Sequence, residues 1–181
     1  MSSKEVMIDI YDDDRNFTGR VLPRKTKLKK GEYMMYVLAI LERKDDGKML
    51  ITQRAMDKKW AAGAWEIPGG GVDSGEDSYT AVQREVLEET GLDVSKCSDR
   101  QKKPVYSYKN EDLESGDNYF MDIYHFVFPF EEKNVTIEQS ESIDHRFASL
   151  DEIKELNDNS QFLHFKRLMT ALENEYSIFK E

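Results

Sequence analysis

The chain has 181 residues, 39% hydrophobic and 11% aromatic, enough for one domain with a substantial core in spite of 34% charged residues. Thirty-six acids against 26 bases give a net charge of −10, which opposes tight binding to duplex nucleic acid, whose phosphates need cationic neutralisation. The single cysteine, Cys97, excludes an intrachain disulfide framework, no apolar signal segment opens the chain, and the run YMMYVLAIL is far short of a membrane span, so a soluble cytoplasmic protein is expected.

In chain order, EVMIDIY alternates as a strand, DDDRNFTG reads as a turn and RVLPR begins a return strand. The stretch RVLPRKTKLKK holds six bases and no acid; it reads as a solvated strand face, with a patch that draws in polyphosphate as the functional alternative. The continuous apolar run of EYMMYVLAILER predicts a strand buried on both faces. DDGK is a hairpin turn into MLITQR, a second core strand, and AWEIPGGG is a short strand ending in a glycine loop. A helix follows, with Ser74 and Asp77 suiting an N-cap box and Gly91 the C′ position. KPVYSYKN and DNYFMDIYHFVFPF alternate like strands joined by the acidic loop EDLESGD. DHRFASLDEI predicts a final strand running into a short helix from about Ser149. SQFLHFKRLMTALENEY, apolar at Phe162, Phe165, Leu168, Met169 and Leu172, predicts an amphipathic C-terminal helix. The pattern is a mixed α/β or α+β domain.

The mid-chain helix carries the chemistry. Tyr79, Val82, Val86 and Thr90 form one stripe, and Glu85, Glu88 and Glu89 form another about 120° round. Carboxylates at i, i+3 and i+4 repel one another, and the negative end of the helix dipole disfavours them as well. With the apolar stripe docked on the sheet, the three carboxylates are expected to face outward beside the glycine loop. Hard oxygen ligands so grouped suit Mg²⁺ or Mn²⁺ rather than zinc.

These residues resemble a known family. Gly70, Glu76, Arg84, Glu85, Glu88, Glu89 and Gly91, with Val86 and Leu92 at the aliphatic positions, match the Nudix box G-x5-E-x7-R-E-U-x-E-E-x-G-U. The resemblance extends over about residues 31–156. It implies an α/β/α sandwich around a mixed sheet, with residues 1–30 as an N-terminal β extension packed on the core and 31–181 as the hydrolase domain including its C-terminal helix. It also implies metal-dependent hydrolysis of a phosphoanhydride in a nucleoside diphosphate linked to another moiety. Carried over by position, Glu85, Glu88 and Glu89 hold the metal, Gly70 lends its carbonyl, Glu85 is a candidate base, Arg84 orients the glutamates and Glu76 braces the loop. Many members add a later acid; EQSESIDHRF offers Glu141 first, then Glu138 or Asp144.

The signal for the leaving group is weaker. LITQRAMDKKWAAGAWEIPGG resembles the segment before the box in coenzyme A diphosphatases, but Lys59 and Ile67 stand where that pattern has arginine and phenylalanine. Tyr108 resembles a tyrosine of dinucleoside polyphosphate hydrolases, although strand alternation explains Tyr106 and Tyr108 equally. Trp60 and Trp65 are candidates to stack a base, with core packing the stronger expectation for Trp65. Arg54 either reaches a phosphate or pairs with an acid. His125, His145 and His164 lack zinc-ligand spacing, and Cys97 has no partner for a nucleophilic role. Two alternatives stand beside the hydrolase: a non-catalytic nucleotide-sensing Nudix module, and an enzyme like isopentenyl-diphosphate isomerase, whose lead-in IYDDDRNFTGRVLPR resembles. The isomerase's cysteine segment before the box has no counterpart, because Cys97 follows the box. The expected partner is a small nucleoside diphosphate derivative, with no membrane and with a homodimer left open.

Overall fold

The computed structural model describes residues 5–178, so residues 1–4 and 179–181 of the two expected units lie outside it. Strands β1 (Met7–Tyr11) and β2 (Phe17–Pro23) form an antiparallel hairpin. Seven further strands make one mixed sheet: β3 (Met34–Arg43), β4 (Met49–Arg54), β5 (Trp65–Glu66), β6 (Gly69–Gly71), β7 (Tyr106–Asn110), β8 (Tyr119–Phe128) and β9 (Ser142–Ala148). The β3–β8 pair is parallel and the remaining pairs are antiparallel. Three helices complete the chain: α1 (Ser78–Thr90), α2 (Leu150–Asp158) and α3 (Phe165–Ile178).

Alternation along β3 divides the core into two layers. Val37, Ala39 and Leu41 pack with Ala81, Val82 and Val86 of α1 on one face. Leu38 and Ile40 pack on the other with Ile153 and Leu156 of α2, Leu168 and Ala171 of α3, and Ile8 and Ile10 of the hairpin. Helices on both faces make the expected α/β/α sandwich, and they explain why β3 is apolar throughout.

Several local expectations are corrected. β8 is not a half-buried alternating strand: its first eight residues are all buried, because it lies between β3 and β7 with a core layer on each face. The glycine segment is a strand and not a loop, pairing Gly69, Gly70 and Gly71 with Leu38, Val37 and Tyr36. Gly69 lies so close to Val37 and Leu38 that no side chain fits, which is why glycine stands there. Asp77 itself caps α1, accepting from the Thr80 amide at 2.7 Å, whereas Ser74 is spent on Asp9 at 2.6 Å. Gly91 does close the helix, at φ 71°, with its amide on Leu87 O. Phe162 precedes the C-terminal helix and bridges Trp65 instead.

The hairpin is tied to the sheet by an arginine that reaches a buried carboxylate. Arg15, at φ 65° in the β1–β2 turn, sets both terminal nitrogens on the two oxygens of Asp122, which is 1% exposed. Ser78 and Ser107 hydroxyls also donate to Asp122, and Tyr11 and Tyr33 exchange backbone hydrogen bonds. This docking carries the hairpin to the edge of the cleft described next.

Candidate active site

The three glutamates of α1 occupy different environments because the helix packs against both β3 and β6. Glu88 is exposed, Glu85 is buried at 9% exposure, and Glu89 is half-buried with Oε2 accepting from the Gly69 amide at 3.2 Å. The expectation of three outward carboxylates therefore fails at Glu85, whose carboxylate packs directly on Gly70. Any side-chain carbon at Gly70 would overlap it. Burial pushes the Glu85 carboxyl up, with Arg84 opposing and Glu88 adding to the rise. Glu89 is pushed up much further, first by burial and then by the charges of Glu85 and Glu66.

Arg84 is the hub. Its Nε and Nη2 meet the two oxygens of Glu76 at 2.8 and 2.9 Å, its Nη1 reaches Glu85 at 2.9 Å and Glu88 at 3.3 Å, and Nη2 also donates to Gly71 O at 3.0 Å. Glu76 in turn accepts from the Asp73 amide at 3.0 Å, so one side chain links the turn before α1, the β6 strand and the acidic face. Hydrogen bonds from Arg84 hold the Glu76 carboxyl below its ordinary range.

A cleft of roughly 500 Å³ opens over this face. Glycines 69–71, Asp73, Glu85, Glu88 and Glu89 line it together with Glu138 and Glu141 from the segment before β9. Of the later acids, Glu141 and Glu138 are thus brought to the cleft and Asp144 is not, being exposed on β9. Glu141 pairs there with Lys58. Among the described residues no three His, Cys, Asp or Glu side chains converge on one point, since Arg84 draws Glu85 and Glu88 towards itself. The donor chemistry nevertheless fits a hard divalent cation. The oxygens are carboxylates, and Glu89 sits among Glu85, Glu66 and Glu141 with the Gly69 amide donating to it.

A second hollow of roughly 510 Å³ adjoins the first at Gly69 and Gly70 and carries Tyr36, Tyr119, Trp60, His164, Arg54 and Arg167. Arg54 resolves as an acid partner, 3.0 Å from Glu66, with its guanidinium over Trp60 at 5.4 Å. Trp65 does not reach either hollow; it packs against the core under Arg146, 4.9 Å away. Tyr108 is likewise packed away, with Arg167 over its ring at 4.4 Å, so Tyr119 and Arg167 face the hollow in its place. His125 lies between Glu42 and Glu175, His145 pairs with Glu132, and burial pushes the Cys97 thiol up, away from a nucleophile's range.

Glu66, Tyr119, Arg167 and Arg24 were not singled out as site residues from sequence. Glu66 had a usable signal, since it precedes the glycines by three residues in a strand whose neighbour Trp65 must face the other way. Tyr119 and Arg167 come from distant elements, and nothing local marks them.

A family model of the NUDIX domain matches residues 32–168. An uncharacterised Nudix hydrolase of Listeria monocytogenes is 28% identical over 87% of this chain and 88% of its own. Among solved structures, the DR0079 protein of Deinococcus radiodurans superposes with a TM-score of 0.66 at 17% identity, covering 86% of this chain and 90% of that one. The NUDIX domain of Shewanella oneidensis NrtR, solved with ADP-ribose, gives 0.58 at 19% identity, covering 81% and 88%. With the complete box folded into one arginine-centred cleft and the domain match spanning most of the chain, the protein belongs to the Nudix hydrolase family.

Proposed function

We propose that the protein hydrolyses a phosphoanhydride bond in a nucleoside diphosphate linked to another moiety, by attack of water on phosphorus. The observation that carries this reading is the Arg84 hub: a half-buried guanidinium fixes Glu76, Glu85 and Glu88 around Gly70–Gly71 while Glu89 lies beneath Gly69. An arrangement so acidic is costly unless positive charge arrives with the ligand.

In this reading Glu85, Glu88, Glu89 and the Gly70 carbonyl hold Mg²⁺ or Mn²⁺, and Glu141 completes the set from across the cleft. The bound cation supplies charge neutralisation at the phosphate oxygens and a more acidic water. Glu85, buried against Gly70, takes the proton of the attacking water. Arg84 holds Glu85 in position, and Glu76 holds Arg84. The aromatic hollow beyond Gly69 receives the rest of the substrate, with Tyr36, Tyr119 and Trp60 offering faces for a base or sugar.

The test is hydrolysis of ADP-ribose, nucleotide sugars, dinucleoside polyphosphates, coenzyme A and nucleoside triphosphates with Mg²⁺ and with excess EDTA, run in ¹⁸O-labelled water. Expected are turnover of at least one substrate, loss of it in EDTA, and label in a phosphate product. Full activity in EDTA, or label in a released alcohol, refutes the mechanism.

A further inference from the structure

The hairpin that precedes the matched NUDIX region contributes a wall of the glutamate cleft. Val6 and Arg24 both line it, and their backbones are joined by the hydrogen bond from Arg24 N to Val6 O at 2.9 Å. Arg24 is the one residue of the basic run 20–30 among the cleft's lining residues. Arg20, by contrast, is exposed and pairs with Glu32.

Donor accounting separates the two arginines of the cleft. Arg84 uses all three of its nitrogens on Glu76, Glu85, Glu88 and Gly71 O and has little left to offer a ligand. Arg24 makes one side-chain hydrogen bond among the described residues, from Nη2 to Asp73 Oδ1 at 2.5 Å. Its Nε is buried and has no partner, an arrangement native structures avoid unless a ligand or solvent oxygen meets the group. The guanidinium also lies directly over Gly71. A side-chain carbon there would come within 2.7 Å of Nη2 and 2.8 Å of Cζ, so the glycine strand is what admits Arg24 to the cleft.

We infer that Arg24, delivered by the N-terminal hairpin, binds a phosphate oxygen of the substrate, and that this cleft is incomplete without the hairpin. The inference rests on the proposed phosphoanhydride substrate and names one residue that reads it. A guanidinium held by Asp73 through Nη2, with Nε enclosed beside Gly71 and Nη1 to spare, keeps a charged donor for a phosphate oxygen. It also supplies positive charge that Arg84, already surrounded by carboxylates, cannot. The other role open to Arg24 is structural, as a clamp on Asp73.

Calorimetric titration of the full chain in Mg²⁺ with α,β-methylene-ADP, whose bridge cannot be hydrolysed, distinguishes these roles. Arg24→Gln is expected to weaken binding by about tenfold or more, while Asp73→Asn, which removes the negative charge beside the guanidinium and leaves a neutral acceptor, keeps or improves it. Arg24→Lys, the variant to use should Arg24→Gln not fold, is expected to fall between them, since it keeps the charge and loses the fork. Melting temperatures measured alongside show that binding, not folding, has changed. Equal losses in Arg24→Gln and Asp73→Asn, or affinity of Arg24→Gln or Arg24→Lys within about twofold of the parent chain, overturn the inference. If the parent chain hydrolyses none of the substrate panel, the proposed function fails on its own; if it turns over and the Arg24 variants bind as tightly, only the role of Arg24 fails.

Discussion

Glu76 and Arg84 meet as a two-pronged pair, Nε on Oε1 at 2.8 Å and Nη2 on Oε2 at 2.9 Å, across the turn that leads into α1. Neither residue is exposed, and through Arg84 the pair ties Glu85 and Glu88 to the end of the glycine strand. Glu76→Gln keeps the shape and loses the charge. It is expected to cost about 1.5–3 kcal/mol of stability, as for a hydrogen bond to a charged group, and to lower turnover by letting Arg84 move onto Glu85 and Glu88. Because Arg84 holds the folded Glu76 carboxyl below the ordinary glutamate value of 4.5, its contribution is complete above that pH and is lost as pH falls through the lower folded value. Chemical denaturation of both proteins between pH 7 and 3 checks this: the Glu76→Gln deficit should shrink on acidification.

Gly70→Ala separates shape from charge at the same site. The added carbon overlaps the Glu85 carboxylate, which is buried and cannot retreat without breaking its 2.9 Å contact with Arg84. Displacement of the one box carboxylate assigned to the water is expected to reduce kcat by orders of magnitude, at a stability cost of about 1–3 kcal/mol for overpacking. Near-normal kcat in a folded Gly70→Ala would remove Glu85 from the role of base.

Arg15 and Asp122 predict where the hairpin is anchored. Asp122 is 1% exposed and its partners are Arg15, Ser78 and Ser107, so removing Arg15 leaves a buried carboxylate without its counter-charge. Arg15→Gln is expected to destabilise the fold by about 3–5 kcal/mol, measured by urea unfolding. The loss should be accompanied by faster amide exchange in β1 and β2, which the same contact holds against the sheet.

Much of this was legible in the sequence because it depends on period and spacing. The apolar run of β3 announced burial on both faces, and the box spacing brought Glu76, Arg84, Glu85, Glu88 and Glu89 into one helix and its lead-in. What was misread depends on neighbours that no local pattern encodes. A wheel divides α1 into faces but cannot say that β6 rises beside Glu85 and buries it. Ser74 and Asp77 are both good caps, and the choice fell to Asp77 because Asp9, from the hairpin, captures the Ser74 hydroxyl. Trp65 and Tyr108 stand in the sequence as candidate substrate contacts beside a core reading, which is the stronger for Trp65. Both pack against the core, leaving Trp60 and Tyr119 at the hollow. Arg24 was hidden inside a basic run whose remaining members show no such placement.

His164 links the aromatic hollow to pH. It stands at φ 61° just before α3, its ring centroid 6.1 Å from that of Trp60, and burial, with Arg167 and Arg54 adding to it, pushes its pKa down to about 4. Between pH 6.5 and 4 the folded protein therefore keeps this imidazole neutral while the unfolded chain, with the ordinary histidine value of 6.5, takes up a proton. Its contribution to stability is complete above pH 6.5 and declines as pH falls towards 4, by at most about 1.4 kcal/mol per pH unit. Carboxyls raised in the fold, Glu66, Glu85 and Glu89, act in the opposite direction over the acid range, so the wild-type curve alone does not isolate the histidine. His164→Asn does, because asparagine tolerates the left-handed backbone and does not titrate. The difference in unfolding free energy between the two proteins should be constant above pH 6.5 and shift in favour of the variant between 6.5 and 4. Parallel curves through that window would mean that the imidazole is solvated, and the hollow beside Gly69 would then be open to water at its α3 end.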